Sequence, residues 1–186
     1  QNGVDMKASV LATGYGQDFL DSPVSKDFPS SALFVDGYKP VELKTAETKK
    51  FQADLKKYAG FTGVPDFGVY NGYILADLCI RGCENAGNNP TRQAFVDGVH
   101  KVGMYYQAGL GCGKGVDVSL EGRGHAPKNS CGWFLQVKDG QFVPFPKSGK
   151  PVTGTLVGTP EAINNATNGG AAEAPTTAPT TAAPAA

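Results

Sequence analysis

A Gly14-Tyr15-Gly16 turn follows the apolar run Ser9 to Thr13 and leads into Gln17-Asp18-Phe19-Leu20. Strand, tight turn and helix start in that order place backbone N–H groups where they capture an anion. The pattern stops short of a dinucleotide fingerprint. Phe19 stands where a third glycine belongs, and no βαβ unit with a downstream ribose-binding acid follows, so no cofactor is expected. In an open α/β sheet, loops at the carboxyl ends of strands line the ligand crevice, which puts Thr13, Gly14 and Tyr15 against a small molecule. A turn that merely joins two elements gives the same pattern.

The chain has 7 tyrosines, whose flat apolar faces and polar tips suit a binding cleft. Most are expected in or at the edge of the core. Tyr70 is singled out because it stands near the start of a long apolar helix, one turn before Tyr73, where its side chain would reach past the sheet edge into the crevice.

Four cysteines allow three pairings if all are oxidised. Cys79 and Cys83 fall one helical turn apart, with Cα atoms ~6 Å apart, which is compatible with a bridge or with two buried thiols. Cys112 and Cys131 flank a glycine-rich loop and a strand. A bridge between them would contribute roughly 3 kcal/mol in the chain-entropy model and implies an oxidising compartment. No metal is expected, since Cys112, His125 and Cys131 show none of the short paired spacings of a zinc site. His100 is expected on a solvated helix face, and nothing fixes a partner for His125. No elbow or thiolate context supports a nucleophile, and the acids are scattered among lysines, so no enzyme is read here.

The elements that must position these residues follow from periodicity. Ser9 to Thr13 and Ala32 to Val35 read as strands, the second stopped by Asp36-Gly37. Thr45 caps an amphipathic helix carrying Phe51, Leu55 and Tyr58 and closed by Gly60. Asp66 to Ala86 is a longer helix, apolar over most of its circumference and so expected buried, with Gly87 at its left-handed end. A third helix opens at Asn88 to Thr91 and presents Phe95, Val96, Val99 and Val102 before Gly103. Val116, Val118 and Leu120 alternate as in a half-buried strand. Trp133 to Val137, Asp139-Gly140 and Phe142 to Phe145 form a hairpin through a type I′ turn. The order gives an α/β sheet packed between helices with an antiparallel addition at its end.

Lys and Arg total 17 against 17 Asp and Glu, and the lysines from Lys44 to Lys57 are interleaved with acids. That pattern argues against nucleic acid as a partner. No window approaches the ~20 apolar residues needed to span a bilayer. The first residue is Gln1, and no export signal is read in this stretch, as expected where one was removed or the chain is a fragment. Asn165-Ala166-Thr167 matches a glycosylation sequon, and Gly169 to Ala186 hold only Gly, Ala, Pro and Thr apart from Glu173, as in a disordered tail.

The stretch Val10 to Gly16, the helix Phe51 to Tyr58, Tyr70 to Leu78, Glu84 to Gly87, Pro90 to Val99 and Val137 to Val143 together resemble the C-terminal half of a type I periplasmic solute-binding protein. The nearest branch is that of the branched-chain amino acid binders of ABC importers. The resemblance covers Ser9 to Phe145. It implies a three-layer αβα lobe with a C-terminal hairpin over residues 1–145, an irregular extension over 146–168 and the tail over 169–186. It also implies a solute gripped by hinge closure, an extracytoplasmic setting with an anchor outside this chain, and a membrane permease as partner. On that likeness the N-terminal lobe is expected to be missing. In the amino acid binders, the turn matching Thr13 to Gly16 carries an acid for the ligand ammonium. Here it supplies no charge, which favours a neutral, amide or aromatic ligand. A sensing or surface interaction module on the same fold is the alternative.

Overall fold

The computed structural model describes residues 7–88, 90–113, 115–120 and 131–154. His125, the sequon at Asn165 and the tail from Gly169 lie outside the described residues. The elements run β1 (Ser9–Leu11), α1 (Gln17–Asp21), β2 (Ala32–Asp36), α2 (Ala46–Ala59), α3 (Phe67–Ala86), α4 (Arg92–His100), β3 (Met104–Tyr105), β4 (Val116–Asp117), β5 (Cys131–Lys138), β6 (Gln141–Phe145) and β7 (Val152–Thr153). Short 3-10 turns occupy Pro23–Asp27, Val41–Leu43 and Gln107–Gly109.

The main sheet is mixed, in the order β1-β2-β5-β6, with β7 paired to the start of β5. Only β1 and β2 run parallel, with Ser9 beside Ala32 and Leu11 beside Phe34. β5 and β6 form the expected hairpin, closed at Lys138 and Gln141, and Asp139 and Gly140 take the two positive φ values, 51° and 72°, that a type I′ turn demands. β3 and β4 make a separate antiparallel pair. The mixed α/β lobe is thus the architecture.

Alternation along the strands turns Phe34, Leu135, Val137 and Phe142 to one buried face, where Phe51 of α2 and Tyr70 and Ile74 of α3 join them. Phe19 and Phe142 meet Phe34 edge to face at 5.0 and 5.2 Å. The buried side chains of the helices gather on this face. The opposite face carries Leu33, Val35, Phe134 and Val143 half-buried, with Val10 and Phe145 exposed.

The caps explain where the helices begin. Thr45, Asp66 and Thr91 accept hydrogen bonds from the N–H groups of Thr48, Val69 and Ala94, at 3.4, 2.8 and 3.1 Å. Gly60 ends α2 with φ 66°. Tyr58, expected on the apolar stripe of α2, is instead exposed, because residues 56–59 all lie on the open surface, where Lys57 Nζ sits 4.7 Å over the Tyr58 ring. α3 also differs from expectation. Among the described residues its neighbours cover only part of its circumference, and Phe67, Leu75 and Ile80 remain exposed at 67%, 61% and 58%.

α4 crosses α3 at two glycines. A Cβ on Gly98 would overlap the Gly82 carbonyl oxygen, and Asn85 Nδ2 donates to Gly98 O at 3.0 Å. The expected strand from Val116 to Leu120 is short, with Leu120 exposed. His100 is not solvated as expected. Val118 N donates to Gly103 O at 2.9 Å, and that return brings Val118 O to 2.8 Å from His100 Nδ1.

Cys112 and Cys131 form the expected disulfide, with Cα atoms 5.9 Å apart. It ties the segment after Gln107–Gly109 to the start of β5. Cys79 and Cys83 are neither bridged nor buried; both are exposed free thiols, because their side of α3 has no neighbour among the described residues.

Candidate functional site

Since β1 and β2 are adjacent and parallel, their carboxyl ends open on the same side of the sheet. The chain leaves β1 through Thr13 to Gly16, where Gly14 and Gly16 take φ values of 101° and 152°. At Gly16 an added Cβ would lie 3.0 Å from Asp66 Cβ, so glycine lets this corner press against the cap of α3. Gln17 fastens the contact: its N–H donates to Val64 O at 2.9 Å, and its Oε1 accepts from Val64 N at 3.0 Å. The glycine–tyrosine corner and the start of the long helix therefore face one shared space.

That space is a cavity of about 620 Å³, within the range of small-molecule sites. One wall is the turn Thr13 to Gly16, with Asp18 and Phe19 behind it. A second is the exit of β2 at Val35, Asp36 and Gly37, and a third is the first turn of α3 at Asp66, Phe67 and Gly68. Among the described residues the wall holds no His, Cys, Ser, Lys or Arg, and so offers no cationic side chain. No group of three metal-ligating side chains gathers anywhere among them.

Thr13, Gly14 and Tyr15 all contribute to the wall. Tyr15 is only 7% exposed; its ring meets Phe142 at 4.9 Å, and its hydroxyl donates to Glu42 Oε2 at 2.8 Å while accepting from Val41 N at 3.3 Å. Burial, reinforced by the nearby Tyr70 and Glu42, holds its phenol protonated far above the ordinary tyrosine range. Burial likewise raises the Glu42 carboxyl, partly offset by the Tyr15 hydrogen bond.

Tyr70 is placed differently from expectation. It does not line the cavity but lies one turn deeper, fully buried, with its hydroxyl donating to Lys39 O at 3.0 Å. Its ring stacks on Tyr38 at 5.4 Å and 9°, and Tyr38 in turn stacks on Phe67 at 5.7 Å and 28°. A column of rings thus runs from the core to the rim. Tyr38 is fixed in it by a hydroxyl hydrogen bond to Asn71 Oδ1 at 2.6 Å.

Three acids reach the wall from separate elements: Asp18, Asp36 and Asp66. Asp36 is 6% exposed; its Oδ1 accepts from Tyr38 N at 2.9 Å, whereas its Oδ2 has no hydrogen-bond partner among the described residues. Loss of hydration raises its carboxyl to about 6, with the Tyr38 amide opposing and the Glu42 charge adding to the rise. The turn Thr13 to Gly16 supplies no charge of its own, but the fold brings three carboxyls to the wall beside it. Sequence reasoning missed Asp36 and Phe67. The signal was present, because the rule applied to the end of β1 applies equally to its parallel neighbour, whose last residue is Asp36.

No curated protein and no solved structure matches the chain. A family model described as periplasmic binding protein matches residues 1–141, a span that takes in the corner after β1, the cap of α3, the α3–α4 crossing and most of the hairpin. That family has a solute-binding role outside the cytoplasm and is generally non-enzymatic; no helix among the described residues is long and apolar enough to cross a membrane. With three-quarters of its length matched, and with a sheet-end cavity of the size a small solute needs, the chain belongs to the periplasmic binding protein family, in its type I, branched-chain amino acid binding branch.

Proposed function

We propose that this chain is the solute-capturing component of an ABC-type uptake system, and that Thr13, Gly14 and Tyr15 form the part of its wall that touches the solute. The observation that carries this reading is the cavity itself, bounded by the corner after β1, the exit of β2 and the first turn of α3. Among the described residues its wall is not closed all round, so a second lobe closing over it would complete the enclosure. The solute then favours the closed form through contacts made only there, and the closed form is what a membrane permease reads.

Tyr70 acts in this reading from behind the wall, by holding Tyr38 and hence Phe67, rather than by touching the solute. The test is titration of the full chain with a panel of amino acids, amides and aromatic amines and acids, followed by amide chemical shifts. At least one class should move the signals of Thr13 to Gly16. Thr13→Trp, which fills the cavity from an exposed position, should abolish that response without lowering the melting temperature. Silence of those amides toward the whole panel, or unchanged binding by Thr13→Trp, overturns the reading.

A further inference from the structure

The chemistry of the wall narrows the kind of solute, an inference that rests on the proposed solute-capturing role. Phe67 is the one large apolar side chain among the described lining residues that stands exposed, at 67%, although a ring of that size ordinarily finds cover. One of its faces is occupied, stacked at 5.7 Å on Tyr38, and Tyr38 is itself pinned by Asn71 and by Tyr70 behind it. The ring is held in place from the protein side and, among the described residues, bare on the other.

The charge of the wall is one-sided. Asp18, Asp36 and Asp66 face no Lys or Arg among the described lining residues. The opposing influences are the amino ends of α1 and α3, neither of which carries a full charge, and the Asp66 carboxylate already caps the second. Asp36 adds an independent sign of an unmet need, being more than nine-tenths buried with Oδ2 unpartnered. A buried carboxylate without a counter-charge is costly, and a cation lodged in front of it relieves that cost. An anionic solute would meet repulsion from every acid in the wall.

We propose that the cavity takes an organic cation bearing a flat apolar group, with the flat group laid on the bare face of Phe67 and the positive nitrogen directed toward the acids of the wall. Phe67 then sets specificity for shape, and the three carboxylates set specificity for charge.

The experiment compares three probes on the full chain by chemical-shift titration at pH 7.5: 2-phenylethylamine, phenylacetate, and 2-cyclohexylethylamine. The aromatic amine should bind at least tenfold more tightly than the aromatic acid and several-fold more tightly than the non-planar amine. Phe67→Ala and Phe67→Leu should each weaken the aromatic amine by about tenfold while leaving the non-planar amine within about twofold. Phenylacetate binding as well as the amine overturns the charge assignment, and indifference of the aromatic amine to both Phe67 variants overturns the platform. If neither amine binds but another member of the wider panel moves the Thr13 to Gly16 amides, this ligand class falls while the solute-capturing role stands. If nothing moves them, both fall.

Discussion

At its first two turns α3 meets the rest of the lobe through rings: Tyr70 lies against Phe51, Tyr38 and Tyr15, and Tyr73 against Phe51 at 4.8 Å. At its last two turns it meets α4 at two glycines: Gly98 lies against the Gly82 carbonyl, and Gly82 makes room for Val99 and Phe95 of α4. Bulk secures one end and the lack of it secures the other. The ringed end is the one beside the cavity, so stacked, hydrogen-bonded side chains fix the geometry a solute would meet. The glycine end carries the exposed Ile80, Cys79 and Cys83 and no part of the cavity wall.

The largest test of that contrast is Tyr70→Ala, which empties a fully buried site and strips the support from Tyr38. A loss of about 3–5 kcal/mol in chemical denaturation is expected. If the column transmits that support, the signals of Phe67 should move as well; a stability loss with Phe67 unmoved would break the proposed link between core and rim.

Asp36 sharpens the same end through pH. Its folded value of about 6 lies above the ordinary 3.8, so between those values the folded chain holds more protons than the unfolded one. Stability should therefore fall as pH rises from about 4 to about 6, by on the order of 2–3 kcal/mol from this group. Asp36→Asn should flatten that part of the profile, and an unchanged slope would remove Asp36 as its source.

At the far end, Gly98→Ala forces a methyl group into the Gly82 carbonyl. Despite the better helix propensity of alanine, a net loss of about 1–3 kcal/mol is expected, with shift changes confined to α4 and the last turns of α3. Spread of those changes to Thr13 to Gly16 would show that the two ends are not independent. The smallest effects belong to the caps. Asp66→Ala and Thr91→Ala should each cost about 1 kcal/mol, but only the former should disturb the cavity amides.

Features set by neighbours in the chain were legible in the sequence. Thr45 and Gly60 bound α2, and Asp139-Gly140 turns the hairpin, because a cap or a positive φ is decided within a few residues. The bridge between Cys112 and Cys131 was also readable from its flanks. What escaped was set by distant partners. The apolar circumference of α3 gave no sign of which side would meet a neighbour, and His100 could not be assigned to Val118 O before the return after β4 was known. For the site, the corner after β1 was visible, but Asp36 and Phe67 looked like an ordinary strand end and an ordinary helix residue. Only the parallel pairing of β1 and β2 and the pressing of Gly16 on Asp66 bring them to the same place.

Tyr15 belongs at once to the cavity wall and to the interior, its ring wedged by Phe142 and its hydroxyl tied to Glu42 and Val41. In the proposed reading a visiting molecule would press on a mould cast during folding, since that panel cannot yield without unsettling the hydrophobic centre behind it. Retuning for a different guest is left to the side chains at the lip, Thr13, Asp18 and Phe67, which can be exchanged with little consequence for the body of the lobe.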